Sequence, residues 1–451
     1  MRQRATRPRL IQAMLDAFRL PDLRRRILIT LGLIVASRFV AHVPLPGVNA
    51  AALKDLFGNN AMLGMLDMFS GGAMRNFSVA AMGVYPYITS TIILQLMQPV
   101  IPALQNMAQE GEAGRDRMNR IGHWLTVPLA GISGYGQIIL LRSMGAFADT
   151  TTGITPAILP LEMVTMVISL IAGTIFLVWL GELITEYGIG NGISIIIFAG
   201  IVTGYPAMIG QGVLVAGQQF IGLVIFGLLL LATIVMIVVF TEAHRRIPVQ
   251  YARTSFRGGR MYRASGGTHI PLRVNSAGMI PLIFAMSLVV FPAMIASYFA
   301  NPTGTDAVPN LANHIVNIFS PGPQDALWGG LVYWVLYFGF TVFFTFFYTM
   351  VIFQQQDLPG TLQRQGGFIP GIRPGKNTES FLNNITTKIT LAGALYLGTV
   401  AVIPFIARTV TNVQVIQLST MGLLIMVGVV LDTMKQMEAQ LTMRKYEGFI
   451  K

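Results

Sequence analysis

Between Glu186 and Glu242 the chain carries no charged side chain at all. A helix needs about 20 mostly apolar residues to cross roughly 30 Å of hydrocarbon, so this stretch is too long for one crossing. In lipid every peptide group must be satisfied within the segment, which predicts helix throughout except where Gly204, Tyr205, Pro206, Gly210 and Gly212 supply a turn dividing the stretch into two spans. The rest of the chain has the same character. Only 11% of it is charged and 53% is hydrophobic, against about 25% charged in an ordinary soluble domain. The absence of cysteine excludes disulfides, thiolate metal sites and cysteine nucleophiles together.

Uncharged runs of spanning length occur at 27–41, 77–104, 121–141, 163–180, 191–209, 217–241, 275–298, 327–353, 389–407 and 413–431. Arg38 interrupts the first, and an Arg near a helix end can snorkel to the headgroups. Ten spans leave both termini on one side, and all but five of the 31 Lys and Arg residues fall there. The exceptions are Arg38, Lys54, Arg75, Arg142 and Arg408. The positive-inside rule therefore puts both termini in the cytoplasm, and the net charge of +12 is mostly orientation. The Arg-rich start is read as a cytoplasmic segment rather than a cleaved signal, since no A-x-A-like site follows Arg38.

The expected architecture is an all-α polytopic membrane protein of two five-span halves. Five is odd, so the halves lie in opposite orientations, as in inverted-repeat folds. The segments expected are a cytoplasmic stretch 1–26, a first half 27–209, a second half 217–434 with loops 242–273 and 354–378, and a tail 435–451. Residues 60–72 fit neither pattern. Asn60 to Phe69 followed by Ser70, Gly71 and Gly72 would form a helix of only about 15 Å, half a bilayer. Such a piece either lies on the outer leaflet or is buried in protein lining a cavity.

Nucleotide-binding loops, H-E-x-x-H and dinucleotide fingerprints are absent, and the five His residues lack metal-ligand spacing. Gly131-Ile-Ser-Gly134 has the look of an intramembrane nucleophile, but His123 is about 15 Å away along the same helix, and small-residue helix packing is the better reading. The span centres hold no ionisable group, which weakens a secondary transporter of inverted-repeat type, the competing reading, and favours an apolar-lined passive pathway. Two long loops combine basic residues with aromatic or Pro/Gly-shaped turns. Arg245, Arg246, Arg253, Arg257, Arg260 and Arg263 alternate with Tyr251, Phe256 and Tyr262, while 366–375 displays Arg373. Both are read either as topology signals or as a surface for an acidic or phosphate-bearing partner.

Six strings, Met68-Phe-Ser-Gly-Gly72, Tyr85-Pro-Tyr-Ile-Thr89 with Gln95, Gly188-Ile-Gly-Asn-Gly-Ile-Ser onward to Gly200, PLRVNSAGMIP over 271–281, Phe368-Ile-Pro-Gly-Ile-Arg-Pro-Gly375 and Tyr446-Glu-Gly448, resemble the bacterial SecY family in order along the chain. The resemblance implies the pore subunit of a protein-conducting channel that passes unfolded secretory polypeptides across the bacterial plasma membrane and releases membrane segments through a lateral gate. It implies no cofactor, no enzymatic activity of its own, and partners that include SecE-like and SecG-like small subunits, the SecA motor, the ribosome, signal peptides and lipid.

Carried over residue by residue, the resemblance makes Val84, Ile88, Ile193, Ile197, Ile283 and Ile425 an aliphatic pore ring. Ile425 stands apart because its lead-in, Leu418-Ser-Thr-Met-Gly422, departs from the family pattern. Thr89, Gln95 and Asn275 would be lateral-gate polar residues, with Asn275 equally a helix N-cap. Met62, Leu63, Met65, Leu66, Met68, Phe69, Gly71 and Gly72 would belong to the plug. Arg245, Arg246, Arg253, Arg257, Arg260 and above all Arg373 would dock the motor and the ribosome.

Overall fold

The computed structural model describes residues 20–46, 48, 53, 67, 70, 72–143, 147, 160–251, 254–257, 260–263, 268–297, 299, 310–319, 327–356, 358–411 and 420–450. The chain is mainly helical: α1 (Pro21–Val40), α2 (Tyr85–Met97), α3 (Pro102–Gln109), α4 (Glu112–Ser143), α5 (Pro160–Tyr187), α6 (Gly192–Glu242), α7 (Ile280–Ser297), α8 (Leu311–Phe319), α9 (Leu327–Gln356), α10 (Leu358–Arg364), α11 (Lys376–Thr411) and α12 (Thr420–Ile450). Strands β1 (His244–Tyr251), β2 (Thr254–Arg257), β3 (Arg260–Arg263), β4 (Thr268–Arg273) and β5 (Gly367–Phe368) occupy the two long loops. Among the described residues four helices are apolar and long enough to cross a bilayer, at Pro160–Tyr187, Val224–Glu242, Leu331–Arg364 and Lys376–Ala407.

Two sequence expectations change. The span expected at 77–104 is broken, because α3 leaves α2 at 105°. Pro99 and Pro102 remove two backbone donors there, and Ile101 adopts an extended conformation ahead of α3. At its other end, positive φ at Phe77 and Gly83 holds the chain out of helix until Tyr85. The turn expected at 204–212 is instead helix, with Pro206 inside α6. In apolar surroundings no water competes for the peptide groups, so helix persists through residues that would break it in solution.

The chain divides into two compact units, 1–220 with 293–325 and 415–451, and 221–292 with 326–414. In the first, α4 packs against α2 and α5, and α1 against α5. Small residues sit at these helix contacts. Ser90 of α2 donates to the Gly122 carbonyl of α4 at 2.6 Å, and a Cβ on Gly134 would sit 3.2 Å from Leu170 of α5. In the second unit α9 and α11 form the main helix pair, and β1 lies centrally in a three-stranded sheet of order β4-β1-β5.

Candidate functional site

The α5–α6 turn shows why the 188–200 string is rich in glycine. A Cβ on Gly192 would land on the Gly181 carbonyl, so the two helices approach at backbone contact. Asn191 Oδ1 accepts the Ser194 N–H at 3.1 Å, and Thr185 Oγ1 accepts the Gly192 N–H at 2.9 Å, which satisfies two donors at the start of α6. Thr30 of α1 reaches the same turn, accepting the Ile189 N–H at 3.2 Å. This locked turn positions Ile193 and Ile197 one helical turn apart. Ile193 lies against Gly181, and Ile197 is buried.

Val84 immediately precedes α2 and is buried, and its carbonyl accepts the Ile88 N–H at 3.1 Å, so this pair too is one turn apart. Ile425 is buried on α12 in the same unit, while Ile283 is buried on α7 in the second unit. All six are thus on helices or at a helix start, and none is a surface residue.

The polar residues divide differently. Thr89 Oγ1 donates to the Tyr85 carbonyl at 3.0 Å and is satisfied by its own helix. Gln95 lies half-buried on α2 and has interactions of its own. The N-cap alternative for Asn275 falls, since α7 begins at Ile280 and Asn275 lies five residues earlier in the turn after β4. Gly278, at φ 64°, shapes that turn and delays the helix. Asn275 is buried there with its Oδ1 unsatisfied.

Of the short segment 60–72, residues Met62, Leu63, Met65, Leu66, Met68, Phe69 and Gly71 lie outside the described residues. Gly72 is described, at φ 85°, with its N–H donating to the Asp67 carbonyl at 3.0 Å. Asp67 and Ser70, which sequence reasoning passed over, make the closest polar cluster in this region. Asp67 Oδ1 accepts the N–H groups of Met74 and Arg75, each at 3.1 Å, and Oδ2 lies 2.9 Å from Arg75 Nε. Burial pushes the Asp67 carboxyl above its ordinary value, with Arg75 and the hydrogen bonds opposing it.

A second pair that sequence reasoning missed is His123 of α4 and Glu182 of α5. His123 Nε2 lies 2.8 Å from Glu182 Oε1, although the geometry falls short of a hydrogen bond. The Tyr87 ring of α2 is 5.4 Å from the imidazole. Scattered in sequence, these three meet because α4 packs against both neighbours.

The two basic loops are one structure. Antiparallel pairing joins β1 to β4 from His244↔Arg273 to Val249↔Thr268, and joins β1 to β5 through Gln250↔Phe368 and Tyr251↔Gly367. Ile247, Val249, Leu362, Ile369, Leu382 and Ile385 form a core beneath, with Ile372 packed against it. Because Ile369 and Ile372 point inward, the neighbouring Arg373 is exposed, in a turn held by Gly371 at φ 84° and Gly375 at φ 103°. Thr378 Oγ1 donates to the Arg373 carbonyl at 3.0 Å. Arg245 and Arg246 are exposed at the start of β1. Arg257 and Arg260 face one another as the last pair of the β2–β3 hairpin. Arg253 lies outside the described residues.

Comparisons with known proteins bear on the whole chain. A family model described as SecY matches residues 78–434. The protein translocase subunit SecY of Streptomyces galbus is 39% identical over 454 residues, covering 98% of this chain and 100% of that protein. In three dimensions the chain matches, at TM-score 0.60 and 18% identity over 92% of both chains, a structure described as showing that the plug domain of the SecY protein stabilises the closed state of the translocation channel and maintains a membrane seal. It also matches Sec61 in the canine ribosome–channel complex from the endoplasmic reticulum, at TM-score 0.59 and 17% identity over 92% of both chains.

Proposed function

The chain belongs to the SecY family of protein translocase subunits, and from that premise we propose that it is the central pore subunit of a bacterial protein-conducting channel, with no catalytic activity of its own. Unfolded secretory chains pass through it, and apolar segments leave sideways into lipid. Similarity to a translocase subunit, 39% identical over 98% of this chain and 100% of that protein, carries the reading.

The pore constriction in this proposal is the ring Val84, Ile88, Ile193, Ile197, Ile283 and Ile425. Aliphatic side chains at a narrow point exclude ions by dewetting and grip a passing polypeptide only weakly. Burial of Val84, Ile197, Ile283 and Ile425, with Ile88 and Ile193 half-buried, and the one-turn spacing of the two pairs support it. Thr89, Gln95 and Asn275 contribute to a lateral gate. The unsatisfied Asn275 oxygen is the most telling of them, because a buried acceptor without a donor favours any movement that supplies one. Residues 60–72 are the plug.

The two five-span halves have opposite orientation, both termini lie in the cytoplasm, and the membrane is the plasma membrane. Energy comes from partners bound on the cytoplasmic side, the SecA motor and the ribosome, with Arg373 as the principal contact and Arg245, Arg246, Arg253, Arg257 and Arg260 as further ones. The exposed guanidinium groups of Arg245, Arg246 and Arg373, on a fixed scaffold, suit bidentate pairing with carboxylate or phosphate. SecE-like and SecG-like subunits complete the channel.

Reconstitution of the chain with such small subunits in vesicles, followed by motor-driven import of a signal-bearing precursor, tests the reading. Protease-protected precursor that requires ATP and an intact signal sequence is the expected result. Vesicles that accumulate a small solute but no precursor would favour the transporter class instead.

A further inference from the structure

The start of α11 is more polar than the span it leads into. Glu379, Asn383, Asn384, Thr386 and Thr387 lie between Lys376 and Lys388, and the uncharged stretch begins only at Ile389. Its neighbour α9 holds no charge and turns polar only at Gln354. The two helices form the main pair of their unit, so apolar α9 lies beside polar α11 where hydrocarbon gives way to headgroups.

Packing leaves a cavity of about 630 Å³ there, within the range of about 300–1,000 Å³ usual for ligand pockets. Phe346, Met350 and Phe353, on one face of α9, form an apolar wall, and Lys376, Glu379 and Asn383 of α11 form a polar one. Lys376 and Glu379 are exposed, and neither is ion-paired among the described residues. A second cavity of about 240 Å³ shares Thr349, Phe353, Thr386 and Thr390 with the first and extends to Arg273 at the end of β4. Thr386 lines both, and its hydroxyl oxygen is buried without a hydrogen-bond partner. An entering acceptor would relieve that cost.

The cavity also has an apolar way out. Phe343, Phe347 and Met350 recur at the spacing of one helix face, and all three are exposed. The Phe343 and Phe347 rings are stacked, with 19° between their planes. Met350 belongs both to this stripe and to the cavity wall. A molecule whose polar end sits beside Lys376 and Glu379 can therefore lay an acyl chain along the stripe toward the bilayer centre.

One cation and one anion a helical turn apart select a headgroup that carries both charges. Phosphate suits Lys376 and the Thr386 hydroxyl, and a primary ammonium suits Glu379 with the Asn383 amide oxygen. A quaternary ammonium has no N–H to donate. A headgroup with negative charge alone leaves Glu379 unpaired.

We propose that the α9–α11 cleft is a binding site for a phospholipid of the phosphoethanolamine class, held by Lys376 and Glu379 at its headgroup and by Phe343, Phe347 and Met350 along one acyl chain. The inference goes beyond the pore reading and requires only that α9 and α11 cross the bilayer.

Full-length protein with its small partner subunits, in phosphatidylcholine nanodiscs, tests this with a trace of phosphatidylethanolamine bearing a photoreactive group on one acyl chain. Peptide mapping after illumination should place label on α9 near Phe343 and Phe347, above the level on the exposed α5 residues Val164 and Ile168. The choline analogue of the probe should label α9 about tenfold less, the scale of one charge-assisted hydrogen bond. Unlabelled phosphatidylethanolamine should displace the probe better than phosphatidylglycerol does. Glu379→Gln should bring the ethanolamine and choline probes level, and Lys376→Gln should lower labelling by both. The probe comparison on the parent needs no variant, so it stands even where a variant fails to insert. Equal labelling of the parent by the two probes overturns the headgroup site, as does a preference that survives Glu379→Gln. Label on α9 no higher than on α5 overturns the cleft as a lipid site, whether it stays empty or a partner subunit covers it. Displacement by water-soluble phosphoethanolamine as readily as by the lipid would make the ligand a free phosphate ester and overturn the lipid.

Discussion

Gln250 and Phe368 are antiparallel partners, and through them two loops separated by the helices α7 to α10 become one sheet over a common core. Basic side chains from both loops are thus displayed on a shared scaffold. Arg373 owes its exposure to Ile369 and Ile372, which are drawn inward on either side of the turn.

The loops should accordingly fail together. Val249→Asp places an unpaired charge in the sheet's core and should abolish motor-driven transport even though no basic residue has been touched. Arg373→Glu should abolish transport in reconstituted vesicles, and Arg373→Lys should reduce it, because an ammonium cannot reproduce bidentate pairing. Resting leak should stay at the parental level in both Arg373 variants. Full transport by Arg373→Glu would remove it from docking, and a topology reporter on the loop after α11 separates this from an effect on orientation.

Polar substitution should wet the constriction. Replacing Ile88 and Ile197 together by Ser should raise planar-bilayer conductance at rest, while either change alone has a smaller effect because the remaining aliphatic groups still exclude water. Parental conductance in the double variant would take both residues out of the ring.

The α5–α6 turn should be intolerant of even one methyl group. Gly192→Ala would drive its Cβ onto the Gly181 carbonyl, where backbone meets backbone and no side chain can give way. A loss of about 1–3 kcal/mol is expected for overpacking of this kind, seen as a lower thermal midpoint of the detergent-solubilised protein. Gly204→Ala, inside the same helix where nothing lies within 4 Å, is the control and should not lower the midpoint, since Ala is the better helix former.

The spans within α5, α6, α9 and α11 were legible because lipid imposes one rule on long stretches, that charge be absent and peptide groups be satisfied internally. The break between α2 and α3 was partly legible in Pro99 and Pro102, but an uncharged run does not say which proline bends the chain and which is absorbed, as Pro206 is in α6. Alternation of Ile247 and Val249 marks β1 as a strand, whereas its pairing with Gly367 and Phe368 left no local trace. The candidate ring needed resemblance, since an isoleucine pair one turn apart faces a pore or a neighbour with the same local pattern. Asp67 had a signal that went unread. An acid in an otherwise apolar segment, with Ser three residues later and Gly after that, is the pattern of a side chain bonding to nearby backbone.

The bridge between Pro44 and Ser78 makes residues 46–76 an excursion that returns to its starting point. Because the two ends are held together independently of what lies between them, the spacing of α1 and α2 does not depend on the length or composition of that excursion. Lengthening such a closed loop costs little, on the order of 0.6 kcal/mol per doubling. An excursion of this kind can be trimmed, extended or exchanged while its two ends stay joined, as a replaceable part on a permanent fitting.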